Sequence, residues 1–193
     1  MWDLKRQWES IDICEEAEAD LGDLRRGRRL KRCIKAIAEQ PGASFPAIFG
    51  DGSSLEAFYR LVENEHIEWR AIASPHCQRT VERTTEMEKV LVVHDSSDLS
   101  YRLHSDGVVR EHMTRFTGGK QGMFIHASMA VTDDDLAAPV GTLCVQPFVH
   151  KIEIANEETL DFWEAEGGVY DNERQRWFDA ISRSEAVLGP DGP

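Results

Sequence analysis

The hydrophobic period of the chain changes near residue 89, and that change constrains the fold more than any other feature. Ahead of it, apolar residues recur at helical spacing. Leu30, Cys33, Ile34 and Ile37 fall at i, i+3, i+4 and i+7. Beyond it, "KVLVVHDSSD", "MFIHASMAV" and "VGTLCVQPFV" are β-branched or alternating runs. In the second run Met123, Ile125, Ala127, Met129 and Val131 share one face, with Phe124, His126 and Ser128 on the other. The pattern predicts an α+β chain with a helical domain over 1–88 and a strand-bearing domain over 89–193. The latter is a three-stranded antiparallel meander followed by a helix over 171–188, with Trp177, Phe178, Ile181 and Leu188 facing inward.

Local signals place the elements. Gly22-Asp23 offers an N-cap to the helix carrying the first stripe, and "QPGASFP" stops it. In "SSLEAFYRLVEN" Ser53 and Glu56 have capping-box spacing, and Leu55, Phe58, Tyr59 and Val62 form a stripe. Ser74-Pro75 reads as a cap and a first-turn proline opening a polar helix to about Glu88. A meander with one covering helix leaves a sheet edge open to another strand.

No run of 18 apolar residues occurs, and "MWDLKRQWES" lacks the apolar centre of a secretion signal, so a cytoplasmic protein without a membrane span is expected. Cys14, Cys33, Cys77 and Cys144 are scattered without metal-ligand spacing, which suits reduced thiols. Net charge is -13, and the larger share of it falls from residue 89 onward, where basic residues are sparse. Against this background "LGDLRRGRRLKRCIK" holds seven of the 22 basic residues and one acid. Arg25, Arg28, Arg29, Arg32 and Lys35 fall largely outside the apolar stripe. They could grip a polyanion, since guanidinium groups bind phosphate bidentately. They could equally neutralise Asp12, Glu15, Glu16 and Glu18 nearby in sequence. Charge alone leaves both readings open.

Asp95 is the sharpest candidate for chemistry. A carboxylate just past a hydrophobic strand is rigidly held and reaches solvent, as an oxygen-seeking Mg2+ requires. Acids also commonly end strands as turn residues, and Asp98 lies further into the same loop. His126, mid-strand, is expected to be a hydrogen-bonded core residue. No GxSxG, P-loop or Cys-His signature supports nucleophilic catalysis, and Asp133-Asp134-Asp135 reads as a solvated hairpin.

Taken in order, "LGDLRRGRRLKRCIKAIAEQPGASFP", "AFYRLVENEHI", "PHCQRTVER", "VLVVHDSSDLSYR", "HASMAV" and "VGTLCVQPF" resemble the N-terminal part of bacterial cut-and-paste transposases of the insertion-sequence-four (Tn-five-like) family. The resemblance covers residues from about 18 to 188. It implies a helical domain that binds the double-stranded transposon end, using Arg25, Arg26, Arg28, Arg29, Arg32 and Lys35, with Asn64, His76, Thr80 and Arg83 also in the DNA-binding region. It implies an incomplete RNase H-like domain behind, with Asp95 as the first acid of the DDE triad and Mg2+ as the cofactor of the intact family. The family continues to a second acid in a DREAD-like motif and a third on a later helix. This sequence carries neither, so no autonomous catalysis is expected. A second reading uses the open sheet edge to join another copy or a full-length transposase as a regulator. A remnant without a selected function is the third.

Overall fold

In the computed structural model residues 18–50, 52–103, 106, 107, 110, 112–150, 157–170 and 172–189 are described. The chain forms two compact units, divided between Arg79 and Thr80.

The first unit is helical: α1 Leu24–Glu39, α2 Phe45–Phe49, α3 Gly52–Val62, and α4 Trp69–Thr84, which runs on into the second unit. α1 starts where the sequence indicated. Asp23 is extended, and its carboxylate accepts from the Arg25 backbone N–H at 2.6 Å, satisfying one of the orphan donors of the first turn. Leu30 and Cys33 of α1 meet Phe58 and Leu61 of α3 and Ala19 and Leu21 of the entry segment. Ile34, Ile37, Phe49 and Ile67 pack around this core. Phe58 lies against Phe45 and Phe49, with ring centroids 4.5 and 4.7 Å away. We expect Asp23→Ala to destabilise this unit by about 1 kcal/mol, read as a lower thermal unfolding midpoint with unchanged helical signal at 20 °C.

Several boundaries differ from expectation. The short α2 begins at the end of "QPGASFP", because Ser44 precedes the helix in extended backbone and Pro46 fits its first turn. Ser53 sits inside α3, and Glu56 pairs with Arg60 one turn on instead of capping. Tyr59 and Val62 remain exposed, so the buried stripe of α3 is narrower than its apolar composition. α4 begins at Trp69, which places Pro75 inside the helix. The tertiary setting tolerates the backbone bond that proline cannot donate.

The second unit holds β1 Val90–Arg102, β2 Thr114–Phe116, β3 Lys120–Thr132, β4 Pro139–His150, α5 Glu157–Ala165, β5 Val169–Tyr170 and α6 Glu173–Leu188. The expected meander is present: β1, β3 and β4 are antiparallel neighbours in that order. β2 pairs with the start of β3, and β5 adds in parallel to β4. The alternation in "MFIHASMAV" sets the register. Ala127 faces Asp95 and Met129 faces Val93 on one side, while His126 faces Ser96 and Ser128 faces His94 on the other.

α6 is where the apolar stripe misled. Phe178 is 58% exposed and Ile181 40%, whereas Arg176, Ala180 and Ser184 are buried. Trp177 does turn inward, with its ring edge-on to His94 and His126, and Leu188 packs with Val90, Ala130 and Leu143. The helix presents polar groups because the sheet face nearby is itself polar. Arg176 Nη1 donates to His126 Nδ1 at 2.8 Å, and the guanidinium lies 4.8 Å from the Phe148 ring centre. Ser96 Oγ is 2.7 Å from the same His126 nitrogen, and Ser128 Oγ is 2.9 Å from His94 Nδ1. A guanidinium has donors only, so Nδ1 keeps its lone pair and His126 is the neutral Nε2–H tautomer. Burial first, and then the Arg176 charge, push its pKa down to about 4. The expected core histidine is therefore present, with an arginine as its partner.

One glycine lets the end of α4 approach the sheet. A Cβ on Gly141 would lie 2.1 Å from Thr80 Oγ1, so any side chain there would displace the helix.

Candidate nucleic-acid interface

α1 sorts its side chains by angle. With 3.6 residues per turn, Leu30, Cys33 and Ile37 line the face turned to the core, and Arg25, Arg28, Lys31, Arg32 and Lys35 fall on the opposite side. All five of these cations are exposed. Arg26 and Arg29 sit nearer the core edge and are half-buried. Arg26 Nη1 donates to the Leu21 carbonyl at 3.0 Å, which ties the entry segment to the helix. Burial pushes the Cys33 thiol up, an effect that Arg29 and Arg32 partly oppose, so Cys33 is a protonated core side chain.

Of the four acids that could neutralise this surface, only Glu18 lies among the described residues. Asp12, Glu15 and Glu16 lie outside the described residues, as does Cys14. Glu18 pairs with Arg79 at 3.2 Å. Lys35 meets Glu39 at 3.9 Å with both side chains mostly exposed, a geometry that contributes little. The outer side of α1 is a dense cationic surface on a firmly capped helix, suited to a run of phosphates. Residues 12–67 match the family model described as transposase DNA-binding.

That transposase DNA-binding match covers just under a third of the chain. It contains α1, α2 and α3 whole, and with them the buried core of the first unit. It supports a transposase N-terminus and a DNA-binding role, with DNA as the partner. Among the described residues, no helix is long and apolar enough to cross a membrane.

The other positions suggested by sequence have local surroundings of their own. Asn64 Oδ1 accepts from the His66 backbone N–H at 3.0 Å and shapes the turn after α3. His76 is half-buried within α4. Thr80 has no exposed surface and packs against Gly141, so it offers no contact to a duplex. Arg83 Nη1 reaches the Val140 carbonyl at 3.4 Å and ties α4 to β4. Lys31, exposed in the middle of the cationic side, was absent from the sequence-derived set although its spacing from Arg28 and Lys35 could have included it.

Asp95 stands inside β1 and not past its end, because the strand continues for seven more residues through "SSDLSYR". It is exposed, opposite Ala127, on the sheet face that also carries Leu91 and Val93. Asp98, three residues on, belongs to the other face, opposite Phe124. Among the described residues no group of three His, Cys, Asp or Glu side chains is placed to hold a metal ion. Asp95 alone falls short of the oxygen set that Mg2+ takes.

Proposed function

We propose that this chain binds the double-stranded end of a transposon through the outer side of α1, as the N-terminal part of an insertion-sequence-four (Tn-five-like) transposase. The observation that carries this reading is the coincidence of the matched transposase DNA-binding region with a capped helix whose outer side is almost wholly cationic. Phosphate contacts from Arg25, Arg28, Lys31, Arg32 and Lys35 supply affinity and orientation, while sequence is read at base edges. A gel shift on the inverted repeat flanking the gene tests it. A retarded complex at low salt is expected, and no shift at 50 mM salt would overturn the proposal.

For the second unit the reading is an RNase H-like sheet with Asp95 as the first acid of a DDE set. Its support is the antiparallel β1, β3, β4 order with an exposed acid fixed in the first strand, together with a transposase match ahead of it. Phosphodiester chemistry of that type uses two metal ions held by several carboxylates, of which Asp95 is one. This chain acting alone therefore binds DNA without cutting it. Incubating supercoiled plasmid with purified protein and Mg2+ or Mn2+ is expected to leave it intact. Nicking that disappears in Asp95→Ala would contradict this.

A regulatory reading rests on β1. Among the described residues its thirteen-residue length pairs only with β3, leaving one edge open for a strand from another copy or from a full-length transposase. Size-exclusion chromatography tests it, and a strict monomer that ignores transposase would remove it.

A further inference from the structure

β1 pairs with β3 in unbroken register from Val90 to Arg102, and its other edge faces no strand among the described residues. It carries neither proline nor lysine nor a bulge, the devices that commonly blunt an edge. Leu91, Val93 and Tyr101 on this strand are 42%, 47% and 47% exposed. They share one face with Asp95, Ser97 and Leu99. A long, regular edge with apolar side chains in water is suited to pairing with another strand. The order of side chains along β1 selects which strand that is.

We propose that two copies of this chain pair antiparallel along β1, with Ser96 at the two-fold axis. This inference rests on the open-edge reading and fixes both the occupant and the register. A two-fold axis normal to the sheet sets residues opposite one another on the same face. With the axis at Ser96, Val93 meets Leu99 and Leu91 meets Tyr101, so the apolar side chains of the exposed face gain apolar partners. Asp95 meets Ser97 and Asp98 meets His94, so each acid faces a group that can donate a hydrogen bond. Neighbouring registers lack this match. An axis at Asp95 or at Asp98 sets that carboxylate against its own copy, which is destabilising. An axis at His94 or Ser97 puts Asp95 against Val93 or Leu99. With Ser96 on the axis the two Asp95 side chains lie diagonally, roughly 7–8 Å apart, where physiological salt screens much of their repulsion.

The test uses the full chain. Sedimentation at about 0.1 mM protein is expected to show a dimer that tightens as salt rises from 50 to 300 mM, because each copy carries net charge -13. Association bridged by DNA would loosen instead. Mixing Val93→Cys with Leu99→Cys under mild oxidation should give a disulfide-linked dimer, since directly opposite positions lie within disulfide reach. Neither variant alone, nor wild type with its four cysteines, should do so. Val93→Lys should weaken association about tenfold, the axis making each substitution count twice, with little change in unfolding temperature. A cross-link between Leu91→Cys and Leu99→Cys instead would move the axis to Asp95, overturning the inference while leaving the open-edge reading in place. A dimer that survives Val93→Lys, or a strict monomer, also overturns it. A monomer that ignores full-length transposase as well removes the open-edge reading too.

Discussion

Replacing Arg25, Arg28 and Arg32 together by Ala is expected to weaken DNA binding about 10²–10³-fold at 0.1 M salt while leaving the fold intact. The size follows from counterion release. Each phosphate neutralised contributes roughly 0.9 to the slope of log K against log salt, which near 0.1 M amounts to nearly tenfold in affinity. Three such contacts account for the loss, and the slope should become shallower by roughly 3. Stability should change little, because all three side chains are exposed on the side of α1 away from Leu30 and Cys33. Alanine also suits a helix better than arginine does. The comparison to make is Arg26→Ala. Arg26 holds the Leu21 carbonyl, so its loss should lower thermal stability while changing the salt slope less. If the triple variant bound within threefold of wild type, α1 would not be the DNA surface.

The second large effect concerns acid. The second unit is expected to lose about 3 kcal/mol of stability as pH falls from about 6.5 to about 4 through His126 alone. In the folded state burial, the Arg176 guanidinium and His94 all disfavour the protonated ring, and Asp95 opposes them only in part. The pKa is thereby held at about 4, against an ordinary value near 6.5. The unfolded chain thus binds the proton first, and stability rises with pH across that window. Above about 6.5 the full stability is present, and below about 4 the loss is complete. Burial pushes His94 in the same direction. Carboxylates elsewhere also respond to acid, so the diagnostic quantity is the difference between wild type and His126→Gln in urea unfolding at pH 7 and pH 4.5. Gln can still accept from Arg176, and its variant should show the weaker pH dependence. Equal dependence in both proteins would mean that His126 takes up its proton as readily in the folded state as in the unfolded chain.

Much of this architecture could be read from the chain because the decisive signals are local. The Asp23 cap, the Leu30–Ile37 stripe and the alternation through Met123–Val131 each follow from short-range geometry, and each recurs in the structure. The failures have a common cause in tertiary context. Phe178 and Ile181 read as inward because apolar residues ordinarily face a core, yet α6 packs near His94, His126 and Ser128, and Arg176 is the residue that matches that polar face. Pro75 signals a helix start when only its own neighbourhood is considered, but the helix around it begins at Trp69. Asp95 seemed to lie past a strand because serines and acids are poor strand formers. The complete ladder to β3 keeps them in the sheet. For the candidate interface, helical spacing placed Arg25, Arg28, Arg32 and Lys35 on one side correctly. It grouped the half-buried Arg29 with them, while Arg26, which entered only through the resemblance, is tied to the Leu21 carbonyl.

The central claim is that a protein of net charge -13 holds DNA through one cationic helix. The salt dependence of duplex binding tests it most directly, measured for the inverted repeat and for an unrelated duplex between 50 and 300 mM salt. The predicted result is a linear fall of log K with log salt, of slope between roughly -3 and -5, for both duplexes, with tighter binding to the repeat. Binding that is absent at 50 mM, or that does not change with salt, would contradict it.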